Sequence, residues 1–210
     1  MLLKELNEEE AKIYKHIRKK ITECIKQNSD DYFDLEEFIG RGVSRVVYSL
    51  GDRYVLKYNR RYSAFGSNKT EFDFFNSLYE KGEKISSYFA KPVYISHNEK
   101  FMIMEKMETT LSQFCHMNKL NYALVEEVEM KVKNIKREIR DSGLSVNDLH
   151  EKNIMLDKNG EIKIVDYASN SLATSSENSD FSDYSTFYSD SSCRTSTEQV
   201  IFSFNIFSRY

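Results

Sequence analysis

Tryptophan is absent, proline occurs once, and three cysteines lie far apart at positions 24, 115 and 193. So few and so scattered, and odd in number, the cysteines give neither a disulfide framework nor a metal-ligand spacing and read as reduced thiols. No apolar run approaches the roughly 20 residues that cross a bilayer. The opening MLLKELNEEEAKIYKH lacks the uninterrupted hydrophobic segment of a secretory signal. The expectation is therefore a cytoplasmic protein. Charge of one sign is not in excess either: 30 Lys and Arg face 33 Asp and Glu, a formal −3. Nothing in that balance points to nucleic acid or to an anionic membrane. There is no internal repeat.

What is present is a chain of 210 residues, 40% hydrophobic and 13% aromatic, enough for one domain or for two small lobes sharing a cleft. From about Asn7 to Gln27, Tyr14, Ile17, Ile21 and Cys24 recur at three- and four-residue steps, which predicts an amphipathic helix. Short β-like runs follow at Phe38 to Ile39, Val46 to Leu50 and Tyr54 to Tyr58, the last two joined by a Gly51-Asp52 turn. A helix is expected from about Lys69 to Lys81, with Phe72, Phe75, Leu78 and Tyr79 on its apolar face, and then strands at Val93 to Ser96 and Phe101 to Met104. After Met107 the pattern changes. Val125, Val128, Val132, Ile135 and Ile139 form a long helical stripe that Asp141-Ser-Gly stops. Residues 169–199 are rich in Ser, Thr and Asp with neither Gly nor Pro, a composition that favours partial disorder, and the apolar VIFSFNIF at 200–207 is suited to docking.

Three features carry chemistry. Gly40 and Gly42 stand between two strand candidates, where the lack of a Cβ lets backbone N–H groups approach phosphate oxygens. Lys57 lies inside an apolar strand, where a charge is costly without a partner, and Glu71 early in the next helix is the natural counter-charge. Asp148, Asn153 and Asp166 surround two apolar runs, Ile154 to Leu156 and Ile162 to Val165, that read as a β-hairpin with an Asn-Gly turn. Such a hairpin would bring these three groups to one rim.

In this order and spacing the residues resemble the protein-kinase-like superfamily, over about Phe38 to Ala168, and most closely in style its compact phage and bacterial members. The resemblance implies an α+β, two-lobed protein-kinase-like fold with a β-rich N-lobe and a minimal helical C-lobe. Its parts are an N-terminal helix (1–30), an N-lobe (31–107), a C-lobe (108–170) and a Ser-rich tail (171–210). It also implies an ATP- and Mg²⁺-dependent kinase acting on Ser or Thr hydroxyls of proteins, its own tail included. By resemblance, Gly40, Gly42 and Val47 form the glycine-rich loop and Lys57 binds the α- and β-phosphates, held by Glu71. The backbone of Glu105 and Met107 meets the adenine edge, with Met104 beside it. Asp148 orients the acceptor hydroxyl and takes its proton, and Asn153 and Asp166 hold Mg²⁺.

The sequence also departs from the family pattern. Val146-Asn147-Asp148 replaces His-Arg-Asp, and the arginine that reads a phosphorylated activation loop is missing. Asp166-Tyr167-Ala168 replaces Asp-Phe-Gly, and Arg45 stands for the third loop glycine, a side chain that either contacts phosphate or lies on the surface. No Ala-Pro-Glu or later helical subdomain follows, so a truncated peptide-docking platform is expected. His150 in Asp-Leu-His is also typical of aminoglycoside and choline phosphotransferases, which keeps a small-molecule acceptor open as an alternative. A pseudokinase-like binding module is a third reading, against which stands the retention of Lys57, Asp148, Asn153 and Asp166. Cys115-His116, without further ligands, reads as helix packing.

Overall fold

The protein is seen here as a computed structural model that describes residues 5–29, 31–42, 44–60, 68–145, 149–167 and 171–172. The chain divides into two units, residues 1–176 and 177–210, and all the described residues lie in the first. Helix α1 (Glu8–Gln27) starts at a capping box: the Asn7 side chain accepts from the Glu10 N–H at 2.9 Å, and the Glu10 carboxylate accepts from the Asn7 N–H at 2.8 Å. Its predicted stripe of Tyr14, Ile17, Ile21 and Cys24 is buried. A 3₁₀ turn (Asp31–Asp34) leads into β1 (Phe38–Arg41), β2 (Arg45–Leu50) and β3 (Tyr54–Asn59). Helix α2 (Asn68–Leu78), a 3₁₀ turn (Tyr79–Lys81) and the short α3 (Glu83–Ser86) come next, then β4 (Pro92–Ile95) and β5 (Phe101–Glu105).

These strands form one antiparallel sheet in the order β1-β2-β3-β5-β4. The Gly51 φ of +76° makes the β2–β3 turn, as the Gly-Asp signal predicts. Pro92 opens β4 at the sheet edge, where its missing N–H costs no ladder bond. Period-two alternation divides the side chains between two faces. Val46, Tyr48, Leu50, Leu56, Tyr58, Phe101 and Ile103 meet α1 in one core. Val55, Met102 and Met104 enter another core with Phe74, Phe75 and Leu78 of α2. The bidentate pair of Arg53 with Glu10, at 2.6 and 2.9 Å, ties the β2–β3 turn to the first turn of α1.

The rest is helical with small β elements. Strand β6 (Thr109–Thr110) precedes α4 (Leu111–Met117) and α5 (Tyr122–Asp141), and β7 (Leu144–Ser145), β8 (Ile154–Leu156), β9 (Ile162–Ile164) and β10 (Ser171–Leu172) complete the described elements. Strand β6 pairs with β8 and β8 with β9, while β7 pairs with β10. Leu111, Val128, Val132, Ile154, Leu156 and Ile162 form a third core, against which Cys115 packs. The α5 stripe is buried as predicted apart from the half-buried Ile135, and Gly143 at φ +76° follows its end. The architecture is thus α+β. Among the described residues no helix is long and apolar enough to cross a membrane.

Two local expectations change. In α2 the buried face runs through Asn68, Glu71, Phe74, Phe75 and Leu78, while Phe72 is only half-buried. The steps from Glu71 to Phe74, Phe75 and Leu78 form one helical stripe, so turning Glu71 inward brings Phe74 in with it. The β8–β9 hairpin also lacks a two-residue Asn-Gly turn. Asp157 accepts from the Gly160 N–H at 3.0 Å, only Gly160 has a positive φ (+79°), and the Asp157 side chain accepts from the N–H groups of Asn159 and Glu161. An Asx-supported type I turn followed by a left-handed glycine results.

Because α1 completes a core, Ile17→Ala should cost the whole unit about 2–5 kcal/mol, read as a lower urea midpoint in a single transition. A loss below about 1 kcal/mol would instead describe α1 as an appendage.

Candidate functional site

Lys57 pairs across the sheet with Val47 and Met102, so the three side chains share the face that meets α2. An ammonium there needs an anion, and α2 supplies it. Lys57 Nζ lies 2.9 and 3.0 Å from the two carboxylate oxygens of Glu71, which is wholly buried. Asn68, at the start of α2, fixes the helix to the sheet: its side-chain amide donates to the carbonyls of Lys57 at 3.1 Å and Lys100 at 3.0 Å.

Arg45 neither lies on the surface nor stands apart from other protein groups. It is buried, and its guanidinium forms ion pairs with both Glu71 and Asp166. Lys57, Arg45, Glu71 and Asp166 therefore make one network in which a buried carboxylate serves two cations. Burial pushes the Lys57 ammonium down to about 8; the Glu71 charge opposes that shift, and Arg45 adds to it. Burial alone would raise the Glu71 carboxyl, but Lys57 and Arg45 outweigh it and hold it below the ordinary carboxylate value.

The hairpin delivers Asp166 to this network. The Val165 N–H donates to the Asn153 carbonyl at 2.9 Å, so Asn153 and Asp166 stand at the same end of β8 and β9. Asp166 adopts a left-handed backbone, φ +57°, uncommon for a residue with a Cβ. The next residue stabilises that turn. Tyr167 is buried against Phe74, Phe75 and Phe89, and its hydroxyl donates to the Ala90 carbonyl at 2.7 Å. With Tyr167 anchored inside, Asp166 is left half exposed, its side chain 51% accessible.

Asp148 lies outside the described residues. The segment that follows it is held in two ways: Lys136 of α5 donates to the Leu149 carbonyl at 3.1 Å, and the Asn153 N–H donates to the His150 carbonyl at 2.9 Å. The exposed His150 ring accepts the Lys152 N–H at Nδ1, 3.2 Å, as a turn cap. Lys136 is half-buried, and burial lowers its pKa.

At the glycine-rich segment, Gly40 pairs with Val47, and the Gly42 N–H donates to the Arg45 carbonyl at 2.8 Å. A Cβ would meet nothing within 4 Å at Gly40 and only an atom at 4.0 Å at Gly42, and neither residue has a positive φ. Nothing among the described residues requires glycine at either position. Between sheet and hairpin, the Lys106 N–H donates to the Arg53 carbonyl and the Glu108 N–H to the Leu156 carbonyl, both at 2.9 Å. Met107, between them, packs its side chain on the same core as Val47, and its N–H has no partner among the described residues. The Glu105 carboxylate turns back to accept the Lys91 N–H at 2.9 Å.

Lys57, Glu71 and Asp166 are thus linked through one network, Asn153 stands at the same hairpin end as Asp166, and Val47 shares the sheet face of Lys57. The double role of Arg45 is new. Its signal was available in period two, since Arg45 precedes Val47 by two residues and must share its face. A groove of about 460 Å³ beside α1, lined by His16, Lys20, Asp31, Asp34 and Leu35, shares no residue with the network. Neither a family model nor a curated protein matches the chain.

The unfolded chain keeps Lys57 protonated to its ordinary value of 10.5, whereas the folded protein releases that proton near pH 8. Between these values the unfolded state binds more protons, so the Lys57 contribution to stability rises with pH across that window. Urea unfolding from pH 7.5 to 10.5 should show this rise in the wild type and not in Lys57→Met. Equal slopes in the two proteins would contradict the assignment.

Proposed function

We propose that the chain has a two-lobed protein-kinase-like fold and is an ATP- and Mg²⁺-dependent phosphotransferase acting on Ser and Thr hydroxyls of proteins. One observation carries the reading: a buried Lys57–Glu71 pair linked through Arg45 to the hairpin end that bears Asn153 and Asp166. A sheet-borne ammonium fixed by a helix carboxylate suits the α- and β-phosphates of a nucleotide. Gly40 and Gly42, free of internal packing demands, leave room for phosphate above the loop. Val47 and Met107 would flank the adenine ring, and the Met107 N–H, which has no partner among the described residues, would meet its edge with the backbone of Glu105.

The donor set at the hairpin end fits Mg²⁺, which takes one or two protein oxygens and completes its shell with phosphate and water. Nucleotide phosphate and water would complete the shell. Asn153 and Asp166 would hold the ion, which when bound neutralises charge on the phosphates. Asp148 would orient the acceptor hydroxyl and take its proton. The Ser- and Thr-rich segment 169–199 offers acceptors within the same chain.

Incubation with γ-labelled ATP and Mg²⁺ should place phosphate on Ser or Thr of the tail or of added proteins. Asp148→Asn should lower kcat on the order of 10² to 10⁴-fold with nearly unchanged nucleotide affinity. Transfer to small alcohols alone would replace the protein acceptor with the alternative, and no transfer to any acceptor would overturn the reading.

A further inference from the structure

We propose that Arg45 is a stand-in cation, occupying the Asp166 carboxylate until a divalent cation arriving with nucleotide displaces it. The inference rests on the nucleotide and magnesium reading of the site and deepens it. Its basis is charge balance. Lys57 and Arg45 carry two positive charges and Glu71 and Asp166 two negative, so the network is neutral as it stands. Glu71 alone cannot balance both cations, and the second carboxylate comes from the hairpin. A buried guanidinium without that partner would carry an uncompensated charge.

Asp166 is the one member of the network open to solvent, 51% accessible against 9% for Arg45 and none for Glu71. An incoming dication therefore meets the network at Asp166, where Arg45 already stands. The guanidinium and a dication compete for the same Asp166 Oδ1, so occupation by one weakens the hold of the other. The backbone of Arg45 need not follow, because its carbonyl is fixed by the Gly42 N–H and its strand pairs with β3. The guanidinium swings while the strand stays. Its release leaves a second positive group beside Lys57, complementary to a phosphate chain. Metal binding and loop chemistry are thereby coupled through one side chain, and the metal-free protein keeps β2 latched to the hairpin.

Mn²⁺ titrations with adenylyl imidodiphosphate, following free Mn²⁺ by electron paramagnetic resonance, test the competition. Arg45→Met keeps length and removes charge, and it should lower the Mn²⁺ concentration for half-saturation by about tenfold or more, an ordinary size for coupling between ligands. Arg45→Lys should stay near wild type. Equal or weaker Mn²⁺ uptake in Arg45→Met, with nucleotide still stabilising the fold, would overturn the competition alone. Absence of both nucleotide stabilisation and Mn²⁺ uptake in the wild type would overturn the phosphotransferase reading and this inference together. The wild type gives an independent readout if Arg45→Met fails to fold. Its Arg45 guanidinium ¹⁵N resonance should shift on adding Mg²⁺ and the analogue, toward its position in Asp166→Asn. A resonance unmoved at saturation would overturn the proposal.

Discussion

A carboxylate with no access to water, Glu71, organises the site. Its burial is tolerable only because two cations reach it, and each reaches it from a different strand: Lys57 from β3 and Arg45 from β2. Removing one partner from such a group typically costs about 3 to 5 kcal/mol, because a charge is then left buried and unpaired. The ion pairs fix the rotation of α2, and the same rotation carries Phe74, Phe75 and Leu78 into the core that receives Tyr167. Polar and apolar demands on α2 therefore agree, and that agreement allows a helix so polar at its buried start to pack.

The sheet separates its wholly apolar contacts from its buried charge by its period of two. One face is closed by α1 through aliphatic and aromatic contacts. The other carries Lys57 among Val55, Met102 and Met104, so the ammonium is set in an apolar wall. The hairpin reaches this face through a bridge along one edge of β9 and a bond just beyond it: the Ile164 N–H donates to the Tyr88 carbonyl, the Ala90 N–H donates to the Ile164 carbonyl, and the Tyr167 hydroxyl donates to the Ala90 carbonyl. A short stretch of backbone between α3 and β4 thus sets where Asp166 stands relative to Glu71. The left-handed Asp166 is the local cost of holding its neighbour inside and its own carboxylate outside.

Much of this was legible in the sequence because it depends on short-range patterning. The α1 stripe, the five sheet strands, the α5 stripe with its Gly143 stop and the β8–β9 hairpin all follow from periodicity and turn residues. Lys57 with Glu71 was legible for a different reason: an isolated charge in an apolar strand implies a partner. What depends on tertiary packing was not. Period two puts Arg45 on the face of Val47, but only the approach of both α2 and the hairpin reveals why it is buried. The exchange of Phe74 for Phe72 follows from Glu71 facing inward, which the apolar residues of that helix do not indicate by themselves. Lys136 looks like one of many surface cations on α5 until Leu149 is folded against it. Asp148, central to the sequence argument, lies outside the described residues.

As proposed, the Lys57, Glu71, Arg45 and Asp166 network receives nucleotide phosphate and a divalent cation, and stabilisation of the folded state by ligand measures that directly. The melting temperature should climb steadily as Mg²⁺-ATP is raised from micromolar to millimolar concentration, as mass action requires of a ligand bound only by the native protein. Raising Mg²⁺ with inorganic sulfate in place of ATP should give no such climb. A melting temperature indifferent to Mg²⁺-ATP across that range would contradict the central claim.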